Sequence, residues 1–295
     1  MIKISFIIST KNRLPFLKIL NKHIFSNLKE DEEIIIVDGN SSDGSKEFLS
    51  ELYNNGIIQN YISEADKNQA HGWNKALLMA RGVIIKKIID DDVFDLDAIR
   101  KCAYWMLEHP EIDFCISDCL QTTLDEPITI TSASRKTQYC AWKDKKTKSF
   151  TFSDVYLLIR KSSLSEFGLF DTQFRMLDWE YSLRCSYLKA KIAYYTGCMA
   201  LCVNTPGNIT STTSPETLKY EGEIGKIKYE YAGDASEISL YSKLKIFVGK
   251  TLDKISKRKQ QVPVHHTEKE REEIYESLYR QLSKKNSDSD FNIIH

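Results

Sequence analysis

Glu33-Ile34-Ile35-Ile36-Val37-Asp38-Gly39-Asn40-Ser41-Ser42-Asp43-Gly44-Ser45 runs directly into a stretch where Phe48, Leu49 and Leu52 share one face. An unbroken β-branched run, a turn of Asp, Gly, Asn and Ser, and an amphipathic segment read as strand, loop and helix. Asn55-Gly56 supplies the stop. The same unit repeats on either side. Upstream, residues 4–9 form an apolar run, and 14–28 carry Phe16, Leu17, Leu20, Ile24 and Leu28 at helical spacing. Downstream come a strand at 57–62, a helix at 69–81 through Trp73, Leu77 and Ala80, and a strand at 83–89. A helix at 96–108, closed by His109-Pro110, and a strand at 113–117 follow. Continuous apolar strands alternating with helices predict an α/β fold: a Rossmann-like, mostly parallel sheet with helices on both faces. Ligands of such sheets bind beyond the carboxyl ends of the strands.

The chain has 295 residues, with 41 basic and 41 acidic side chains and zero formal charge. Zero charge argues against a nucleic-acid partner bound by bulk electrostatics. Seven cysteines, with Cys115/Cys119 and Cys198/Cys202 four apart, do not fit zinc-knuckle spacing and read as free thiols of a reducing compartment. The start, Met1-Ile2-Lys3-Ile4, does not read as a signal peptide, and no apolar run approaches the ~20 residues of a membrane span. A cytoplasmic location is expected.

The strand ends are Ser9-Thr10-Lys11-Asn12-Arg13, Asp38 to Ser45, Glu64-Ala65-Asp66-Lys67 and Asp90-Asp91-Asp92. Three successive carboxylates repel unless a cation neutralises them, and hard oxygen ligands suit Mg²⁺ or Mn²⁺ shared with phosphates. A solvated turn that caps the next helix is the plainer reading of the triplet. Asp38 stands at a strand tip, where a carboxylate can accept from a nucleobase N–H. Asp43 reads as a cap of the helix after it. Asp178 and Glu180 bracket Trp179 ahead of a helical segment, where a carboxylate is either a cap or a general base. The six histidines do not cluster with Cys or Asp, although His71 lies near the expected cleft. The sequence contains neither a P-loop nor a Gly-x-Gly-x-x-Gly fingerprint.

Taken in order, Ser9 to Arg13, Ile36 to Ser45, Glu64 to Ala70 with Trp73-Asn74-Lys75, and Asp91-Asp92 resemble the family 2 glycosyltransferases over roughly residues 2–212. The resemblance implies the GT-A fold and an inverting enzyme. Such an enzyme moves a sugar from a nucleotide diphosphate, UDP first, to a hydroxyl of a glycan or lipid-linked acceptor. It places Asp38 at the nucleobase, and Thr10, Arg13, Asp66, Lys67 and Asp91 around the donor. Asp90 and Asp92 would hold divalent Mn²⁺ or Mg²⁺, Asp178 would be the general base, and Asp118 would lie toward the acceptor. The setting it suggests is bacterial surface polysaccharide or lipopolysaccharide assembly. Departures are Ile89 two before the aspartate pair, Asn68 and Ala76 where Gly is usual, Asp154 where His is frequent, and Leu177 before the base. A sugar nucleotidyltransferase is an alternative, but it would want glycine in the loop after strand one. A silent carbohydrate-binding protein is another, against which Asp38, Asp91, Asp92 and Asp178 together speak.

Residues 1–214 are read as the catalytic domain and 215–295 as a helical extension. Residues 119–150 are polar and poorly periodic. Residues 243–259 carry seven basic side chains against Asp253, interleaved with Leu244, Phe247, Val248, Leu252 and Ile255. That pattern suits a helix resting peripherally on the inner face of an anionic membrane, or one packed on the protein. Thr267 with Glu270 is a capping-box pattern before Ile274, Leu278 and Leu282, so a last helix is expected, packed on the domain or pairing two copies. The final ten residues are expected to fray.

Overall fold

In the computed structural model, residues 1–124, 128–205, 213–233, 266–287 and 290–295 are described. The opening repeat gives β1 (Ile4–Thr10), α1 (Leu14–His23), β2 (Glu32–Asp38), α2 (Ser45–Asn54), β3 (Asn60–Ser63), α3 (Gln69–Met79) and β4 (Ile84–Lys87). Then come β5 (Val93–Phe94), α4 (Leu96–Glu108), β6 (Phe114–Ser117), β7 (Leu120–Thr123), β8 (Thr131–Ser132) and α5 (Lys136–Lys143). The rest is β9 (Leu157–Arg160), α6 (Leu164–Phe167), α7 (Leu177–Tyr187), β10 (Ile192–Tyr195), β11 (Ala200–Asn204), α8 (Pro215–Lys228), α9 (Glu268–Ser287) and β12 (Ile293–Ile294).

The main sheet runs β12-β10-β6-β9-β4-β1-β2-β3, and a smaller one runs β5-β11-β7-β8. β4, β1, β2 and β3 are mutually parallel, as are β6 and β10. β9 enters antiparallel between β4 and β6, and β12 lies antiparallel on β10. The inversion of β9 matters for the site. Its amino end, not its carboxyl end, lies beside the carboxyl end of β4.

Strand residues alternate between two cores, which is why these strands are apolar throughout. Ile4, Phe6 and Ile8 pack with Leu17, Leu20, Leu49, Ile99 and Met106 of α1, α2 and α4. Ile7, Ile35 and Val37 face Ala70, Trp73 and Leu77 of α3 and Tyr181 of α7. Trp73 has no exposed surface, so its truncation to Ala is worth about 3–5 kcal/mol.

Several expectations are corrected. The first helix ends at His23, with a 3-10 turn at Phe25–Asn27, and β3 begins three residues later than its apolar run. The stretch 119–150 contains β7, β8 and α5. β7 alternates buried and exposed residues, and of α5 only Tyr139 is buried, so neither shows a long apolar run. The chain end does not fray: β12 pairs with β10, and the Tyr139 hydroxyl donates to the Ile294 carbonyl at 3.1 Å. The final helix forms with its capping box intact. Thr267 N–H donates to Glu270 Oε2 at 2.7 Å, and Glu270 N–H donates to Thr267 Oγ1 at 3.3 Å. Its Tyr275, Leu278 and Leu282 are buried against Ile19, Val93, Leu120 and Leu201, so the apolar face packs on the domain. All seven cysteines are unpaired. Among the described residues no helix is long and apolar enough to cross a membrane. The basic stretch 243–259 lies outside the described residues.

Candidate active site

The carboxyl ends of β1, β2, β3 and β4 converge as parallel strands must, and the amino end of β9 joins them. Between these ends and α7 lies a cavity of about 740 Å³. Thr10, Lys11 and Arg13 line it from β1, Gly39 from β2, Asp66 and Lys67 from β3, and Asp90, Asp91 and Asp92 from β4. Ser153 and Asp154 come from β9, Asp178 from α7, and Cys202 to Asn204 from β11. This size suits a nucleotide with a sugar attached.

The loops after β1 and β2 are knitted by their short polar side chains. Asn12 N–H donates to Ser41 Oγ and Ser42 N–H to Asn12 Oδ1, both at 2.8 Å. Asn12 and Asn40 both adopt positive φ, which Asn tolerates better than most residues. Asp43 acts as a tie: its carboxylate accepts from Leu14 N–H and Ser45 N–H at 3.0 Å each. Asp38 is fully buried, and it accepts from Ser63 Oγ at 2.6 Å, Ser41 N–H at 3.0 Å and the Ser41 hydroxyl. It does not line the cavity; its neighbour Gly39 does. Asp66 is fixed by Lys75 Nζ at 2.9 Å. Gly72 lets α3 close on this corner, since a Cβ there would lie 2.3 Å from Ser9 Oγ and 2.7 Å from Asp66 Oδ2. His71 reaches Asp66 only at 3.7 Å and is not in the cavity wall.

Asp90, Asp91 and Asp92 are nearly buried, and Arg13 bridges the first two. Asp90 accepts from Thr10 Oγ1 at 2.7 Å and Arg13 Nε at 3.0 Å. Asp91 accepts from Arg13 and the Thr205 hydroxyl, and its backbone carbonyl accepts from the Tyr275 hydroxyl at 2.5 Å. Asp92 Oδ1 accepts from Val203 N–H at 2.7 Å. Burial first, and then the Asp91 charge, push the Asp92 carboxyl well above the usual carboxylate range. Asp90 is pushed up by burial and pulled back by Arg13 and Thr10. Among the described residues, no three His, Cys, Asp or Glu side chains converge as a self-sufficient metal cage. A hard divalent ion held by one or two carboxylates and by phosphate oxygens needs no such cage, and the donor set fits it.

Asp178 begins α7 and keeps some area open to the cavity. It is deep enough that its charge is poorly hydrated. Its pKa is pushed up to about 6, by burial and then by Asp154, while Lys87, Ser153 and the Trp179 N–H pull it down. The turn before it is held by α8: Glu221 Oε1 accepts from Arg175 N–H at 2.8 Å and Oε2 from Met176 N–H at 2.9 Å. Gly225 of α8 lies under Trp179, where a Cβ would sit 2.1 Å from the ring.

The structure adds Lys87 and Asp154, which form a buried ion pair in the cavity wall. The available signal was two lysines, Lys86 and Lys87, inside an apolar strand. Both grip the start of β9: Lys86 Nζ donates to the Val155 carbonyl, and Lys87 Nζ to Asp154. Burial pushes Lys86 down to about 7. Asp118, expected on the acceptor side, accepts from Ser134 Oγ at 2.6 Å and from the Tyr194 hydroxyl, and does not line the cavity.

A sequence model described as "Glycosyl transferase family 2" matches residues 5–168, more than half of the chain. Among solved structures, S. aureus TarS 1–349 in complex with UDP-GlcNAc aligns with TM-score 0.60 and 16% identity, over 80% of this chain and 69% of that one. A longer S. aureus TarS structure aligns with TM-score 0.57 and 15% identity, over 80% of this chain and only 41% of that one. The mannosyltransferase PcManGT from Pyrobaculum calidifontis, in complex with GDP-Man and Mn²⁺, aligns with TM-score 0.53 and 14% identity, over 95% of this chain and 84% of that one. At such identities these likenesses establish the fold, which is GT-A. Compared by sequence with curated proteins, the chain matches none.

Proposed function

The chain belongs to glycosyl transferase family 2 and is a glycosyltransferase, and on that premise we propose that it transfers a sugar from a nucleotide diphosphate to an acceptor hydroxyl with inversion. UDP is the first candidate nucleotide. The observation that carries the reading is one cavity holding the acidic triplet at one side and Asp178 at another. A carboxyl pushed up to about 6 is a better proton acceptor than an ordinary aspartate and is still ionised at neutral pH.

In this reading Thr10, Arg13, Asp66, Lys67 and Asp91 surround the nucleotide diphosphate. Asp38 orders Gly39 and Ser41 beneath the base, and would reach the base only by exchanging a hydroxyl partner. Asp92, backed by Asp90, would hold a divalent ion, because Asp90 already has both oxygens engaged by Thr10 and Arg13. When bound, that ion would neutralise charge on the departing diphosphate. Asp178 takes the proton of the acceptor hydroxyl. The freed oxygen bonds to the anomeric carbon from the face opposite the breaking C–O bond, and the diphosphate leaves with that bond's electrons. Residues 1–214 carry the chemistry, and the described parts of 215–295 brace it. A glycan or lipid-linked acceptor fits the family. We read 243–259 as the contact with an anionic membrane on its charge pattern alone.

Calorimetry with UDP and with GDP, each with and without Mn²⁺, tests the donor site. Metal-dependent binding that Asp92→Ala abolishes is expected; no binding of either nucleotide would favour a carbohydrate-binding protein. Asp178→Asn is expected to retain donor affinity and to lose at least ~100-fold in transfer rate, the scale of a lost general base. Normal turnover in that variant would sink the base assignment.

A further inference from the structure

A nucleobase is read by polar groups with capacity to spare, and Asp38 has none. Its Oδ1 accepts from the Ser41 hydroxyl, its Oδ2 from Ser41 N–H and Ser63 Oγ, and the residue has no exposed surface. Asp66 has the opposite character. Its side chain lines the cavity and is 10% exposed. Oδ1 is held by Lys75 Nζ at 2.9 Å, with His71 Nδ1 3.7 Å away. Oδ2 accepts from none of the described residues and keeps surface open. It lies 3.5 Å from the place a Cβ would take on Gly39, and the Lys11 stem crosses the same place at 3.2 Å. The bare Gly39 backbone thus floors a notch between Lys11 and Asp66. The notch is two to three strands from the β4 end that carries the acidic triplet, about 10–14 Å at the spacing of neighbouring strands. A nucleotide with its diphosphate at the triplet lays its base there.

A carboxylate oxygen accepts hydrogen bonds and cannot donate them. Uracil meets it with one N–H, at N3, between two carbonyls. Cytosine presents an unprotonated ring nitrogen at that place, which a carboxylate repels. Guanine presents two adjacent N–H donors that call for both oxygens, and Oδ1 is already engaged. Lys11 and Lys67 are exposed at the same end of the cavity and can donate to the two carbonyls. The ligand group is neutral, so the selection rests on donor and acceptor pattern rather than on net charge. We propose that Asp66 reads the base through Oδ2, in the place expected of Asp38, and that it selects a uracil-type base over cytosine and guanine. This rests on the nucleotide-sugar reading.

The full chain is titrated calorimetrically, with Mn²⁺, against UDP, its N3-methyl analogue, CDP and GDP. UDP is expected to bind about tenfold or more tighter than each of the others, the worth of one hydrogen bond to a charged acceptor. Asp66→Ala removes that acceptor and leaves room for the methyl group. It is expected to weaken UDP about tenfold and to bring UDP and its N3-methyl analogue within about threefold of each other. If that variant fails to fold, Asp66→Asn can turn an amide donor toward the notch, which suits the cytosine ring nitrogen, and CDP is then expected to draw level with UDP. Equal binding of UDP and its N3-methyl analogue by the wild type overturns the proposal. Tighter binding of GDP than UDP does so too, while leaving the nucleotide-sugar reading in place. A folded Asp66→Ala that keeps the full gap shows the base to be read elsewhere and overturns the assignment to this residue. Absence of binding by all four nucleotides would instead overturn the donor reading beneath it.

Discussion

Asp178 shows how a residue's chemistry and its stability oppose one another. Its pKa is raised from 3.8 to about 6, so ionising it in the folded state is harder than in the unfolded chain. The native state keeps the full stability of the neutral form below the unfolded value. That stability is lost as pH rises toward 6 and through it. Asp178→Asn is therefore expected to raise stability above pH 7 by about 1–2 kcal/mol, discounted for the partial exposure of the side chain. The gain should vanish near pH 4, and thermal melts of the two proteins across pH would read it. With Asp178 as the proposed base, transfer would need its carboxylate, so kcat/KM should fall about tenfold per unit as pH drops below 6. A flat acid limb, measured at saturating metal, would separate the base from this residue. In the sequence Asp178 read as a cap or a general base at a helix start, and the family resemblance put it in the base's place. Its raised pKa comes first from burial in the tertiary structure and then from Asp154, twenty-four residues away in the chain.

The elements that carry the chemistry are set by others that do not. Glu221 of α8 occupies both N–H groups of the turn leading to Asp178. Glu221→Ala leaves those donors unpaired, and about tenfold or more is expected to go from kcat with nucleotide affinity unchanged. Glu221→Gln, which keeps one acceptor, should recover part of it. α9 does the same for the acidic triplet, since its Tyr275 hydroxyl holds the Asp91 carbonyl. Asn286 Nδ2 adds bonds to Asp95 Oδ2 at 2.8 Å and to the Cys198 carbonyl at 2.7 Å. Tyr275→Phe keeps the buried ring, so the melting temperature should move little. The metal-dependent part of nucleotide affinity should weaken about three- to tenfold, the worth of one hydrogen bond. Titration of Mn²⁺ against nucleotide binding would detect it. α9 itself could be read from Thr267, Glu270 and the spacing of Ile274, Leu278 and Leu282. What it covers could not, because its partners on β5 and β11 are remote in sequence.

At the scale of the molecule, the main sheet is closed at one side by its last residues. β12 covers the β10 edge, Thr196 N–H donates to the Asn292 carbonyl at 3.0 Å, and the His295 ring lies 5.2 Å from the Trp105 ring. Deleting 290–295 would expose an open strand edge, which favours association with another chain. Loss of about 2 kcal/mol is expected, a fall of roughly 3 °C in Tm for a chain of this length. Light scattering would follow the accompanying self-association.

The sequence by itself determined the alternation of strands and helices, because each apolar run must be covered on both faces and each turn carries its own Gly, Asn and Asp chemistry. It also determined that Thr10, Arg13, Asp66 and Asp90 to Asp92 share one crevice, since parallel strands bring their carboxyl ends to one edge. Tertiary structure alone decided the rest. The antiparallel β9 delivers Asp154 to Lys87, Asp38 turns inward to Ser41 and Ser63, and α8 and α9 reach back to Asp178 and Asp91. Those contacts join residues far apart in the chain. Their energies come from burial and hydrogen bonding that no local pattern records.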